Sequence, residues 1–150
     1  MPSGVTLLAV DFETDDLAEC LDREGFGPGA RTFYVWEAVT QYLTERGVRK
    51  TLADLGDPAP GSGLAVTYIR RDFLDGQAMY GAASAYQDFV VKRGLWRFGL
   101  HPEHVVEFLA EYGWREREQV GPSEYEDRYL RPAGRMITAS EIERCVYAER

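Results

Sequence analysis

The sequence predicts an α/β domain with a largely parallel sheet, on three observations. Short apolar runs alternate with amphipathic helical stretches along the whole chain, the pattern that puts helices over the faces of a sheet. The apolar fraction of 45% with 28% charged residues is ordinary soluble-domain usage, enough to bury a core. At 150 residues, without an internal repeat or a low-complexity tract, the chain is one domain, 1–150.

Val5 to Phe12 is nearly continuous in apolar residues and reads as a first strand, covered on both faces. Asp15 to Glu24 follows as a helix, with Thr14 as its N-cap, Asp15 and Asp16 at the positive end, Leu17, Cys20 and Leu21 on one face, and Gly25 as its stop. Thr32 to Glu37 reads as a strand. Thr44 to Leu55 reads as a helix with Val48, Leu52 and Leu55 on one side. The Pro- and Gly-rich stretch Asp57 to Gly63 is a loop rather than a domain linker, and Leu64 to Arg70 is the next strand. Tyr80 to Lys92 reads as a helix stopped by Gly94, and Pro102 to Tyr112 as another with Pro in its first turn. Trp114 to Val120 and Ile142 to Glu149 are late strands, and Ser123 with Glu126 has the spacing of a capping box between them.

Charge and composition exclude several functions. A formal net charge of -8 without a Lys/Arg block disfavours nucleic acid and anionic membranes, and no apolar run approaches the roughly 20 residues of a membrane span. Two isolated cysteines, Cys20 and Cys145, read as buried free thiols; with no basic-then-apolar leader at the start of the sequence, a cytoplasmic setting is expected. His101 and His104 flank a helix start with no carboxylate or thiol set aimed at them, so no metal is expected.

Ligands of open α/β sheets bind beyond the carboxyl ends of the strands. Two strands here end in acids, Asp11-Phe12-Glu13 and Glu37. Glu37 follows five residues that read as buried, so its charge needs a partner, either a ligand or a salt bridge or helix cap. Asp15 and Asp16 read as helix-start residues and Arg70-Arg71-Asp72 as an ion-paired corner or an anion contact; the aromatics Tyr80, Tyr86, Phe89, Trp96 and Phe98 fit a core or a substrate pocket. No glycine-rich phosphate loop and no Ser/His/Asp or HExxH pattern occurs.

The segments Val10-Asp-Phe-Glu-Thr-Asp-Asp-Leu17, Phe33-Tyr-Val-Trp-Glu-Ala-Val-Thr-Gln-Tyr-Leu-Thr44 and Trp96-Arg-Phe-Gly-Leu100, in this order, resemble the leucine carboxyl methyltransferase-like family of class I S-adenosylmethionine-dependent methyltransferases, in particular its bacterial O-methyltransferase branch. The resemblance implies a Rossmann-like seven-stranded sheet of spatial order 3-2-1-4-5-7-6, with the chain as its C-terminal half, from the third strand onward and lacking the first two. It implies S-adenosylmethionine as cofactor and methyl transfer to a hydroxyl or carboxylate oxygen of a small-molecule acceptor. Asp11 and Phe12 match the segment bordering the adenine, and Glu37 the glutamate by the methionine portion. Tyr42, matching the aromatic of a Tyr-Leu pair, joins Trp96 and Phe98 as substrate-pocket candidates, and no residue is singled out as catalytic. The glycine-rich cofactor loop has no counterpart, since Gly25-Phe-Gly-Pro-Gly29 lies between a helix and a strand and lacks the acid. Without the early strands the Thr32–Glu37 edge is bare, so either Val5–Phe12 shifts beside it, or a homodimer or a partner chain covers it, or the fragment is poorly stable. The alternative to a methyltransferase is a non-catalytic interaction module that self-associates or completes another chain, and the third reading is an unrelated small α/β binding domain.

Overall fold

The structure is a computed structural model and describes residues 4–27 and 29–150. Four strands form a mixed sheet in the order β1-β2-β4-β3: β1 Phe33–Trp36, β2 Gly63–Ile69, β3 Arg115–Val120 and β4 Glu143–Glu149. β1 runs parallel to β2, in register Phe33 to Gly63 and Trp36 to Val66. β4 is antiparallel to both β2 and β3, with a bulge between Glu116 and Glu118. The order is the 4-5-7-6 end of the implied seven-stranded sheet. The single parallel pair makes the sheet less parallel than the alternation of elements suggests.

Val5 to Phe12 forms no strand, the clearest departure from the sequence reading. Val5 and Leu7 are 51% and 74% exposed. In the implied sheet order its place is not next to β1, and no described strand lies beside that place to pair with it; the segment instead leads into the docked side of a helix. The Asp15 backbone carbonyl accepts from the Lys50 ammonium, and the Asp54 carboxylate accepts the Leu17 N–H at 3.2 Å. Both partners lie on α2, Glu45–Asp54.

The helix predicted over Asp15 to Glu24 forms as α1, Leu17–Arg23, capped by Asp16 in place of Thr14: the Asp16 carboxylate reaches the Glu19 N–H. α2 matches its sequence signals, with Thr44 accepting from the Gly47 N–H and Val48 and Leu52 buried. A short α3, Arg71–Leu74, follows β2 directly. The helix expected from Tyr80 is shorter, because Tyr80 takes a positive φ of 48° and belongs to a turn; α4, Ala83–Ala85, opens into the wider π-helical coil Tyr86–Lys92. A 3-10 turn, Pro102–His104, leads into α5, Val105–Ala110. Before α6, Pro122–Tyr125, the carboxylate that reaches back is Glu124, to the Gly121 N–H at 2.7 Å; Ser123 and Glu126 do not form the box.

The core lies on one side of the sheet. Leu64, Val146 and Ala148 from its centre meet Val48 and Leu52 of α2, Val105 and Leu109 of α5, and Trp114, all essentially closed to solvent. The two cysteines are free thiols and half-buried rather than fully buried.

Candidate functional site

β1 ends at Trp36, and the chain leaves its tip through a left-handed turn at Ala38, φ 55°. A Cβ in that region is crowded by the following carbonyl, so the turn is held by other contacts. Thr67 of β2 supplies them: its hydroxyl accepts the Ala38 N–H at 2.8 Å and its carbonyl accepts the Thr40 hydroxyl at 2.7 Å. Glu37 thereby stands exposed at the tip, and no hydrogen bond or ion pair among the described residues involves its carboxylate. The buried charge anticipated from the apolar run is therefore an exposed one, because no strand of the described residues lies on the far side of β1.

Since β4 runs antiparallel, its start lies at the same edge of the sheet as the carboxyl ends of β1 and β2. Glu143 and Arg144 are brought there, and a cleft of about 370 Å³ forms between Glu37, Thr67, Tyr125, Ser140, Glu143 and Arg144. Arg144 is shared between Glu141 at 3.5 Å and Glu124 at 3.7 Å. One carboxylate oxygen of Glu143 is buried without a hydrogen-bond partner. Burial pushes the Tyr125 hydroxyl up to about 12 and raises the Cys145 thiol beside it. Both stay protonated near neutrality, so the cleft is acidic through its carboxylates alone.

Phe12 and Trp36 form a second cleft. Their rings stack at 6.3 Å and 28°, and with Leu17, Leu21, Phe26 and Tyr34 they line an apolar hollow of about 390 Å³ beside β1. Asp11 shapes the turn into α1: its carboxylate accepts the Glu13 N–H at 2.9 Å and its carbonyl accepts from Thr14 and Asp15. The three cofactor candidates are thus divided: Phe12 lines the apolar hollow, Asp11 is exposed in the turn before α1, and Glu37 stands at the acidic cleft.

The pocket candidates do not converge. Tyr42 is 39% exposed, and its carbonyl is held by Arg97 at 2.6 Å. Trp96 stacks on Phe89 at 4.7 Å, its indole nitrogen buried without a partner. Phe98 is 4% exposed and packs on Phe108, which makes it core. The Arg70-Arg71-Asp72 corner is ion-paired: Arg70 grips Asp72 at 2.8 and 3.2 Å, Tyr80 donates its hydroxyl to the same carboxylate, and the Arg70 bonds hold Asp72 at about 2. Arg71 pairs with Asp75.

Sequence reasoning missed Tyr125, Ser140, Glu143 and Arg144. It sought the site after parallel strands, and nothing local marks β4 as running the other way. Among the described residues no group of His, Cys, Asp and Glu side chains is arranged to hold a metal ion, and no helix is long and apolar enough to cross a membrane.

Residues 1–56 match the model of the leucine carboxyl methyltransferase family. Among solved structures, human N-acetylserotonin methyltransferase in complex with S-adenosylmethionine is similar at a TM-score of 0.51 and 16% identity, over 95% of this chain and 33% of that one. The pyocyanin biosynthetic protein PhzM is similar at 0.50 and 14%, over 83% of this chain and 32% of that one. The chain thus spans about a third of the length of either structure. No curated protein matches it. Over residues 1–56 the sequence matches the leucine carboxyl methyltransferase family model, and in fold the chain resembles about a third of each of these methyltransferase structures.

Proposed function

We propose that this chain is a cofactor-binding and acceptor-binding part of an S-adenosylmethionine-dependent O-methyltransferase. The observation that carries the reading is Glu37: an exposed carboxylate with no partner among the described residues, held at a strand tip by a left-handed turn at a residue other than glycine. S-adenosylmethionine has a sulfonium and an ammonium group, and an acidic strand-tip cleft attracts such cations. The apolar hollow with the Phe12–Trp36 pair suits a flat heterocycle such as adenine, by area and by ring stacking. The residues present therefore fit parts of the cofactor: Glu37 for the methionine portion, Asp11 and Phe12 for the adenine. When bound, it would supply the electrophilic methyl group.

The chain's own residues orient and exclude water here rather than remove a proton. Tyr125 keeps its proton until about pH 12 and Arg144 is tied to two carboxylates. An acceptor oxygen would be activated mainly by proximity. The half-buried thiols suit a reducing, cytoplasmic setting.

A second reading, of an interaction module without catalysis, is favoured by the open side of β1, where Phe33 and Val35 are 60% and 68% exposed. Isothermal titration with S-adenosylhomocysteine separates the two. Micromolar binding that is lost in Glu37→Ala supports the methyltransferase reading. A folded chain that takes up no ligand at millimolar concentration refutes it for the chain alone.

A further inference from the structure

We propose that the open edge of β1 pairs with β1 of a second copy, antiparallel, about a two-fold axis at Tyr34. The backbone parity of the strand sets which groups are free. Thr32 turns both its N–H, to the Ser62 hydroxyl at 3.0 Å, and its C=O, to the Gly63 N–H at 3.0 Å, toward β2. Alternate residues point opposite ways, so Tyr34 and Trp36 also bond to β2, while Phe33 and Val35 present N–H and C=O groups to the open side. No hydrogen bond from a loop, turn or side chain of the described residues reaches those groups. The strand, Phe-Tyr-Val-Trp, is apolar on both faces, and an apolar edge with free backbone groups templates pairing.

Only one two-fold register satisfies all the outward groups and side chains together. With the axis at Tyr34, Phe33 faces Val35 of the second copy and Val35 faces its Phe33, each pair exchanging both backbone bonds. The same register sets Arg31 opposite Glu37 of the second copy, and Glu37 opposite its Arg31. Arg31 and Glu37 flank the strand at the positions alternate with Phe33 and Val35, so on the period of the pleat all four share one face and the apolar pairs are flanked by opposite charges. Moving the axis to Val35 would oppose Phe33 to Glu37 and lose both ion pairs. The groups are already poised. Phe33 is held over Gly63 by stacking on Tyr147 at 6.0 Å, and the Arg31 Nε donates to the Gly61 carbonyl at 3.0 Å, which leaves its terminal nitrogens available. This local complementarity acts against the mutual repulsion of two chains of net charge -8.

Light scattering after size exclusion at 0.15 M salt, where charges are screened beyond about 8 Å, reads the mass directly. The expected mass is twice 17.0 kDa. Arg31→Glu and Glu37→Arg, both on exposed residues, should each raise the dissociation constant on the order of tenfold, since two opposed pairs worth a few tenths to 1 kcal/mol become like-charged. The double variant Arg31→Glu/Glu37→Arg should restore the wild-type constant. A 17.0 kDa species at millimolar chain overturns the proposal, also if the Phe33 and Val35 amides are protected from exchange, which would mean that the chain's own N-terminal segment covers the edge. A dimer indifferent to both single reversals overturns it as well, by placing the contact elsewhere. Glu37 is also the cofactor candidate, so the two readings are separated with Arg31→Glu, which leaves Glu37 in place: a raised dissociation constant with ligand uptake unchanged speaks to the edge alone.

Discussion

Glu13 tests how the N-terminal segment is tied to the sheet domain. Its carboxylate accepts the Thr44 N–H at 2.6 Å and the Thr44 hydroxyl at 2.7 Å, at the start of α2, with Arg97 at 3.9 Å. These bonds, the backbone one foremost, hold the carboxyl below its ordinary 4.5. A hydrogen bond to a charged group contributes about 1.5–3 kcal/mol when buried. The Glu13 side chain is 29% exposed, so about 2 kcal/mol is the expected loss for both bonds together in Glu13→Gln. For a chain of this size that is a fall in Tm of roughly 5 °C. The sign with pH follows from the lowered value: the contribution is present above about 4.5 and is lost as pH falls through the folded-state value, so Glu13→Gln should flatten the stability curve below pH 5. Gly47 supplies an internal control. A Cβ there would stand 2.9 Å from the Glu13 carboxylate, so Gly47→Ala should gain its usual helix stabilisation, about 1 kcal/mol, only when Glu13 is Ala. Thermal melts and amide exchange of Leu17–Arg23 are the assays. An unchanged Tm with unchanged α1 exchange in Glu13→Gln would refute the anchoring argument.

Two further outcomes are expected. Ala38→Gly relieves a left-handed residue worth about 1–2 kcal/mol of strain but loosens the unfolded chain by about 0.4–1 kcal/mol, so a net gain near 0.5–1 kcal/mol should show as a higher urea midpoint at constant m-value. Asp72→Asn removes the carboxylate that Arg70 holds at about 2; the stability it contributes is present above the ordinary 3.8 and is lost as pH falls through about 2, so the variant should be less stable at pH 7 by roughly 2 kcal/mol and should show a shallower acid limb in pH-dependent denaturation.

Elements whose signals are local were legible residue by residue. Thr44 caps α2 as its hydroxyl and position require, and Val48 and Leu52 turn inward on the helical period. The Pro- and Gly-rich loop delivers Ser62 to Thr32 and so aligns β1 with β2. Caps chosen among neighbouring Thr, Asp and Ser residues were misplaced by a turn or less, because several candidates satisfy the same donors: Asp16 serves for Thr14 and Glu124 for Glu126.

What needs a second segment was not legible. Val5–Phe12 has the composition of a strand, but pairing depends on an edge elsewhere, and the segment is instead drawn to α2 by Glu13, Lys50 and Asp54. Glu37 looked buried from its apolar neighbours and is exposed, because burial of β1 depends on a strand beside it.

The sequence by itself determined the α/β class, the strand that leads to Glu37, the helix capped by Thr44 and the resemblance carried by the first 56 residues, since apolar period, capping chemistry and motif spacing are properties of contiguous residues. Only the tertiary structure decided that β4 returns antiparallel and sets Glu143 and Arg144 beside Glu37, that Phe12 meets Trp36 in a separate hollow, and that β1 keeps an open edge. Strand direction and pairing are set by backbone hydrogen bonds between distant segments, and no local pattern of side chains encodes which segment will be there to make them.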